Sequence, residues 1–511
     1  PRSHKHRAPH ASSATLTAAA RPAKRPTMAP VIQAPDEPIA IIGYSCILPG
    51  GQNVNESWET IKAGLDCISD LPADRVDVES YFDPNKTVPD KIYCTRGGFI
   101  PNFDFEPSKF NLNMNQMEDT DTNQTLSLIK VKEALESAQI NPSGNVRKNI
   151  GIVLGNVGGS KSSHEFYSRL NYVVVEKVLR GMGASEDDVQ TAVAKYKAHF
   201  PEWRLDSFPG FLGNVMAGRC ANVFNLDGMN CVVDAACASS LIAVKVAIDE
   251  LLRGDCETMI AGATCSDCSL AMYMAFSKTP VFSTKQGLSA YDKESKGMLI
   301  GEGSVMYVLK KLSSAQRDGD QVHAVIRACA SSSDGKAPGI YAPTIEGQEQ
   351  CIRRAYEHAG IDPVTVTLVE GHGTGTPVGD AIELTALKNV MGEGAARQRD
   401  PRRERCAVGS IKSQIGHLKA VAGAAGMLKV VLALKHKVLP ATINVQEPPE
   451  LRDHTRIQDS ALYLNTRARP WFAPPGQPRR AGVSSFGFGG ANYHAVIEEY
   501  EPEHAKPYRM H

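Results

Sequence analysis

The chain has 511 residues, 42% of them hydrophobic, enough to bury a substantial core and long enough for two or more modules. Its 56 basic residues balance 56 acidic ones, so composition implies neither nucleic acid nor a membrane surface as a global partner. No apolar run reaches the length of a membrane span, and twelve cysteines scattered without a small-domain framework point to reduced thiols in a cytosol-like, cytoplasmic setting.

Residues 1–36 are rich in Ala, Pro, Arg, Lys and His, contain no acid before Asp36 and show no sustained apolar periodicity, which predicts a disordered basic linker or tail. This composition also suits an organelle-targeting peptide, but a start at Pro1 without an initiator methionine favours a linker in a fragment. From Pro38 onward, strands such as Ile39 to Ile42, Ile150 to Leu154 and Thr258 to Ala261 alternate with helical segments, as a layered α/β fold requires. The run from Gly155 to Ser162 lacks the glycine that a phosphate-binding loop places before its lysine. Ser185 with Asp188 reads as a capping pair, followed by Val189, Val193, Tyr196 and Phe200 at helical spacing, and core packing is the expected role of that face.

Cys231-Val-Val reads as a short buried strand running into Asp234-Ala-Ala-Cys237-Ala-Ser-Ser240. Leu241, Ile242, Val244, Val246, Ile248 and Leu251 then make a mostly apolar, buried helix ending at Gly254. Unpaired N–H groups in a first helical turn, with the macrodipole behind them, favour an anion and predict a lowered pKa for Cys237. A buried cysteine alone is more often inert packing than a nucleophile. Cys265 and Cys268 have zinc-like spacing but no matching second pair, so they read as packing, and no metal site is expected.

A second set of strands follows in Val305 to Leu309, Val322 to Arg327, Thr365 to Glu370 and Val496 to Glu498. The expected organisation is therefore one half at 37–304, a second at 305–498, and the start of an interdomain linker at 499–511. Within the second half, His372 lies in Glu370-Gly-His-Gly-Thr-Gly-Thr376 and His417 in Lys412-Ser-Gln-Ile-Gly-His417, each after a strand-like segment. Imidazoles among glycines suit N–H donation to a thioester carbonyl or an enolate. The glycines around His372 do not match dinucleotide spacing, and no nucleotide cofactor is implied. Ser484-Ser-Phe-Gly-Phe-Gly-Gly-Ala-Asn492 can supply a backbone N–H for an oxyanion hole and a phenyl ring for a gate.

These four segments, in this order, resemble the ketosynthase family of the thiolase superfamily over about residues 37 to 500. The resemblance implies a thiolase-like α/β fold with two duplicated halves in a layered αβαβα architecture. It implies that Cys237 accepts the acyl group while His372 and His417 assist decarboxylation and stabilise the enolate from a malonyl thioester. By the same resemblance, Lys412 and Glu383 form a supporting ion pair, and Thr374 and Thr376 bind the phosphopantetheine arm. The N–H groups of Cys237 and Phe488 would form the oxyanion hole, and Phe488 would be the gating ring. No cofactor is expected in the domain itself, because substrates arrive on the phosphopantetheine of acyl carrier protein.

A Cys-His-His set distinguishes decarboxylative condensation from the thiolase and chalcone-type relatives, which have a second cysteine or an asparagine where this chain has His417. Segments Met272 to Thr284, Ser333 to Pro343 and Tyr463 to Gly482, with Gln414 and Ala235, resemble more closely the ketosynthase of polyunsaturated fatty acid synthases, first-subunit type. That resemblance implies carrier-protein and acyltransferase neighbours, iterative chain building, and a homodimer paired through Asn230 to Val233. Two alternatives remain: a modular polyketide ketosynthase, and a non-elongating malonyl decarboxylase or scaffold.

Overall fold

In the computed structural model the described residues are 37–117, 119–141, 149–397, 405–446, 460–473 and 476–501. The linker expected at 1–36 and most of that expected at 499–511 lie outside them. The main-sheet strands are β1 (Ile39–Ile47), β2 (Ile150–Gly155), β3 (Asn230–Val233), β4 (Thr258–Cys265), β5 (Gly303–Lys311), β6 (Ala324–Ser333), β7 (Leu368–Glu370), β8 (Cys406–Gly409), β9 (Leu462–Leu464), β10 (Arg480–Gly487) and β11 (Ala491–Glu498). Their order is β9-β8-β7-β10-β11-β6-β1-β5-β4-β2-β3.

Written outward from the centre, this order is the same motif twice. The run β1-β5-β4-β2-β3 and the run β6-β11-β10-β7-β8 each contain two antiparallel pairings followed by two parallel ones. Pairing of Ile39 with Ile326 joins the two runs. The duplicated halves expected from the resemblance are thus present in the topology. The boundary expected at 304 needs correction, because β5 pairs with β1 and β4 and corresponds to β11. Val305 to Leu309 therefore belongs to the first half, and the break falls between Lys311 and β6.

Five helices place the layers: α1 (Thr122–Ser137), α2 (Ser239–Arg253), α3 (Ile345–Ala359), α4 (Pro377–Arg397) and α5 (Ala422–His436). α2 packs on β2 and β4, α5 on β7 and β10, and the two helices pack against each other between the half-sheets. α1 covers β1 and β5 from outside, and α3 covers β6 and β11. Helices on both faces explain why β2 and β4 are buried at every residue and read as continuous apolar runs. α5 is buried from Ala422 to Leu434, and its small residues allow the central approach. A Cβ on Gly423 would fall 2.7 Å from Leu241 Cγ.

Several local expectations hold. α2 ends at Gly254 with φ +84, and the capping pair starts the helix Glu186–Ala198, where Asp188 N–H donates to Ser185 Oγ at 3.2 Å. Val189 and Val193 on that helix are buried. β3 is a correction: it is the sheet's edge strand, with Asn230 exposed and Cys231 to Val233 half-buried. β2 pairs with it on one side, and among the described residues no strand pairs with it on the other, so the apolar run stays open there.

His494 on β11 supplies a stability prediction. It is fully buried, shares a hydrogen bond with Ser484 Oγ at 2.9 Å, and burial pushes its pKa down to about 3. The unfolded imidazole protonates near pH 6.5, so the contribution is present above that pH and is lost as pH falls toward the folded value. Urea denaturation should show His494→Gln with a shallower loss of stability from pH 6.5 to 4, by up to about 1.4 kcal/mol per pH unit. Equal slopes for the two proteins would contradict this assignment.

Candidate active site

β3 ends at Val233, and Ala236–Ala238 make one 3-10 turn before α2. Ala236 lies at φ +50, a conformation alanine avoids. Hydrogen bonds hold it there: Ala236 N–H donates to Asp234 Oδ1 at 2.8 Å, Ala235 N–H to Ser239 Oγ at 2.9 Å, and Ser239 Oγ–H to Ala236 O at 2.7 Å. Ser485 Oγ–H donates to the Cys237 carbonyl at 2.7 Å, tying the turn to the glycine loop. That loop must come close, since a Cβ on Gly487 would sit 2.2 Å from Ala235 O.

The duplication explains why distant segments meet here. β3 and β8 are equivalent strands, so Cys237 and the Lys412-to-His417 run leave equivalent strand ends, while His372 leaves neighbouring β7. Cys237 Sγ and a ring nitrogen of each histidine lie within 4.8 Å of one another. As donors these three are the grouping among the described residues that could hold a metal such as zinc, through the same sulfur and ring nitrogens that acyl chemistry would use. The imidazoles stand edge to face, with centroids 5.5 Å apart.

Backbone amides fix the state of both rings. Phe486 N–H donates to His372 Nδ1 at 3.3 Å, and Lys419 N–H donates to His417 Nδ1 at 2.9 Å. Burial, reinforced by the Lys412 charge, holds both imidazoles well below their ordinary pKa, so they are neutral near pH 7. A neutral ring whose Nδ1 accepts carries its proton on Nε2. Nε2 of buried His417 has no protein partner. Both rings line a cavity of about 400 Å3 that also includes Cys237, Thr374, Thr376 and Phe488.

The expected lowering of the Cys237 pKa is not what this environment produces. Burial pushes the thiol upward, against the opposing pull of the Phe488 N–H, Lys412 and the residue's own N–H. This environment therefore favours the neutral thiol over the thiolate. Those two N–H groups facing the sulfur are the pair expected for the oxyanion hole. Phe488 is 43% exposed and is not core; its ring lies tilted at 37° to that of Tyr341, with centroids 4.7 Å apart, and both line the cavity. Thr374 and Thr376 share a hydrogen bond at 2.9 Å beside it.

Lys412 and Glu383 are both buried, but among the described residues no direct ion pair joins them. They grip the same turn from opposite ends of its hydrogen-bonding groups. Lys412 Nζ donates to His372 O at 2.6 Å, while Glu383 accepts from His372 N–H at 2.5 Å and Gly373 N–H at 2.8 Å. The direct buried pair is Lys429–Glu370 at 2.7 Å, where Glu370 also accepts from Ile411 N–H at 2.6 Å. Lys429 has a readable signal, as a lone charge in the apolar run of α5. Lys419, two residues past His417, is buried too, with Nζ donating to Gly301 O and lying 3.7 Å from Cys268 Sγ. Gln414 donates to Thr60 O, Ile61 O and Leu65 O, satisfying carbonyls at the end of helix Val54–Ala63. All twelve cysteines are free, and Cys265 and Cys268 are buried.

Residues 36–315 match the family model for the beta-ketoacyl synthase N-terminal domain, and residues 323–446 match the C-terminal domain. The chain is 70% identical over 479 residues to a polyunsaturated fatty acid synthase subunit of Thraustochytrium sp., covering 93% of this chain and 17% of that protein. It is 34% identical to polyketide synthase PksL of Bacillus subtilis, with coverage of 93% and 10%. It thus spans less than a fifth of these relatives. Among solved structures, a mutant ketosynthase from module 6 of the Bacillus subtilis bacillaene synthase matches at TM-score 0.77 and 32% identity, covering 91% of this chain and 72% of that one. A structure titled PfaC Keto synthase-Chain length factor matches at TM-score 0.79 and 33% identity, with coverage of 91% and 48%.

Proposed function

Because the chain belongs to the beta-ketoacyl synthase family, we propose that it condenses a Cys237-bound acyl group with malonyl-acyl carrier protein, with loss of carbon dioxide, in iterative polyunsaturated fatty acid synthesis. The observation that carries this reading is the Cys237–His372–His417 cluster, with both Nδ1 atoms occupied by backbone amides. Two neutral Nε2–H donors beside one sulfur suit an enolate oxygen better than they suit proton abstraction.

In the first half-reaction, Cys237 sulfur attacks the carrier thioester, and the carrier thiol leaves with the proton. The N–H groups of Cys237 and Phe488 receive the oxyanion. Thioester exchange changes bond energy little, so the acyl-enzyme can wait for its partner. In the second, malonyl-carrier enters past Phe488, with Thr374 and Thr376 binding its phosphopantetheine arm. Its carboxylate leaves as carbon dioxide, and the electron pair forms an enolate held by His372 and His417. That enolate carbon attacks the acyl carbonyl, the carbon–sulfur bond to Cys237 breaks, the released thiolate takes a proton from water to restore the thiol, and the β-ketoacyl product remains on the carrier.

Acyl carrier protein and an adjoining acyltransferase are the partners this reading requires, and the open β3 edge suits pairing of two copies. No helix among the described residues is long and apolar enough to cross a membrane. Substrate class is tested by incubating the domain with acyl-carrier thioesters of varied length, unsaturation and substitution, and following Cys237 by intact mass. Uptake of plain or unsaturated chains is expected. A preference for branched or β-hydroxylated chains would favour the polyketide alternative, and no uptake would sink both.

A further inference from the structure

Tyr291 lies outside every segment that led to the site, yet it is buried beneath the His372 turn. Its Oη–H donates to Glu383 Oε2 at 2.9 Å, and its N–H donates to Asp380 Oδ2 at 2.6 Å. Those two carboxylates hold the turn: Glu383 accepts from the amides of His372 and Gly373, and Asp380 accepts from Gly375 N–H at 3.1 Å. The fit is tight, since a Cβ on Gly371 would lie 1.9 Å from Tyr291 Oη and one on Gly373 would lie 2.9 Å from its Cζ. Tyr291 also sits at φ +66, a conformation rare for a bulky side chain. Strain of this kind persists where surrounding contacts over-determine it, and it concentrates at functional sites. The following residues continue the support, with Ser295 Oγ–H and Gly297 N–H both donating to Gly375 O.

We propose that Tyr291 is a positioning residue for the condensation step, its hydroxyl fixing Glu383 so that the His372 ring stands at the height needed beside Cys237. Glu383 has two oxygens to satisfy in a buried site, and the phenol orients one while the turn's amides orient both. Without the hydroxyl, Glu383 can rotate and release the His372 amide. The Cys237 oxyanion donors belong to other segments, so acyl uptake should not depend on Tyr291. The kinetic part rests on the function proposed above; the structural part does not.

The test is Tyr291→Phe, which keeps the ring, beside Tyr307→Phe, which removes a buried hydroxyl bonded to Ala424 O instead of to a group that holds this turn. Hydrogen exchange of the peptide spanning 368–376 should quicken in Tyr291→Phe and stay unchanged in Tyr307→Phe. Turnover of malonyl-carrier should fall by about tenfold or more, with its KM and the rate of Cys237 acylation unchanged. Unaltered exchange in Tyr291→Phe would overturn the proposal, as would acylation and condensation falling together. If the parent chain takes up acyl groups but never condenses them, the functional reading fails, and the exchange measurement still decides whether Tyr291 holds the turn.

Discussion

Cys237→Ala should take up no acyl group and should lose condensation by at least about a thousandfold. The loss follows from connectivity, because the acyl group enters and leaves the domain through this sulfur, and no other cysteine lines the cavity. Folding should be little affected. Alanine keeps the backbone turn, and the bonds holding Ala236 and the Cys237 carbonyl come from Asp234, Ser239 and Ser485, none of which uses the thiol. Intact mass after exposure to an acyl-carrier thioester checks the first half, and product formation checks the second. An acylated Cys237→Ala protein would place the nucleophile elsewhere.

His417→Ala should separate the half-reactions. His417 lines the cavity and its Nε2 has no protein partner, so its expected work is donation to a developing oxyanion, and removing one such donor costs on the order of a hundredfold to a thousandfold in rate. Acylation of Cys237 should continue, because the oxyanion of that step is served by backbone N–H groups. The substitution also leaves the Lys419 amide without its acceptor, which should lower stability by about 1–3 kcal/mol. Measuring acylation and turnover on the same preparation distinguishes the chemical loss from partial unfolding. Equal loss of both activities in a folded protein would contradict the division of labour.

Much of this site is legible in the sequence, for a physical reason. Cys237, His372 and Phe488 each sit where a strand ends in a glycine-rich or small-residue turn, His417 follows the helical turn Lys412–Ile415 and Gly416, and such turns leave local marks. The family resemblance then places four separate marks in one cavity. What escapes has no local mark. Tyr291 reaches Glu383 across 92 residues of sequence, and nothing around Leu288-Ser-Ala-Tyr291 hints that a phenol is needed there. Opposite charges suggest an ion pair between Lys412 and Glu383, yet each satisfies the His372 turn, which spacing alone cannot reveal. β5 follows a long gap in strand-like sequence and so reads as part of the second half. Its pairing with β1 and β4 follows from the duplicated topology, which recurs without a visible residue repeat.

Burial accounts for the remaining differences. An apolar Cys231-Val-Val run looks buried in sequence, but β3 is an edge whose outer side is open. At Cys237 the reverse holds: the helix start favours an anion, while the enclosed cavity favours the neutral thiol, and desolvation is the larger effect.

The most direct test of the central claim is to load Cys237 with an acyl group, add malonyl-carrier, and follow both proteins by intact mass. The account predicts that acyl mass leaves the domain as the carrier gains that acyl group and loses carbon dioxide. Carbon dioxide lost from malonyl-carrier while the acyl group stays on Cys237 would contradict it, and would mark a decarboxylase that does not elongate.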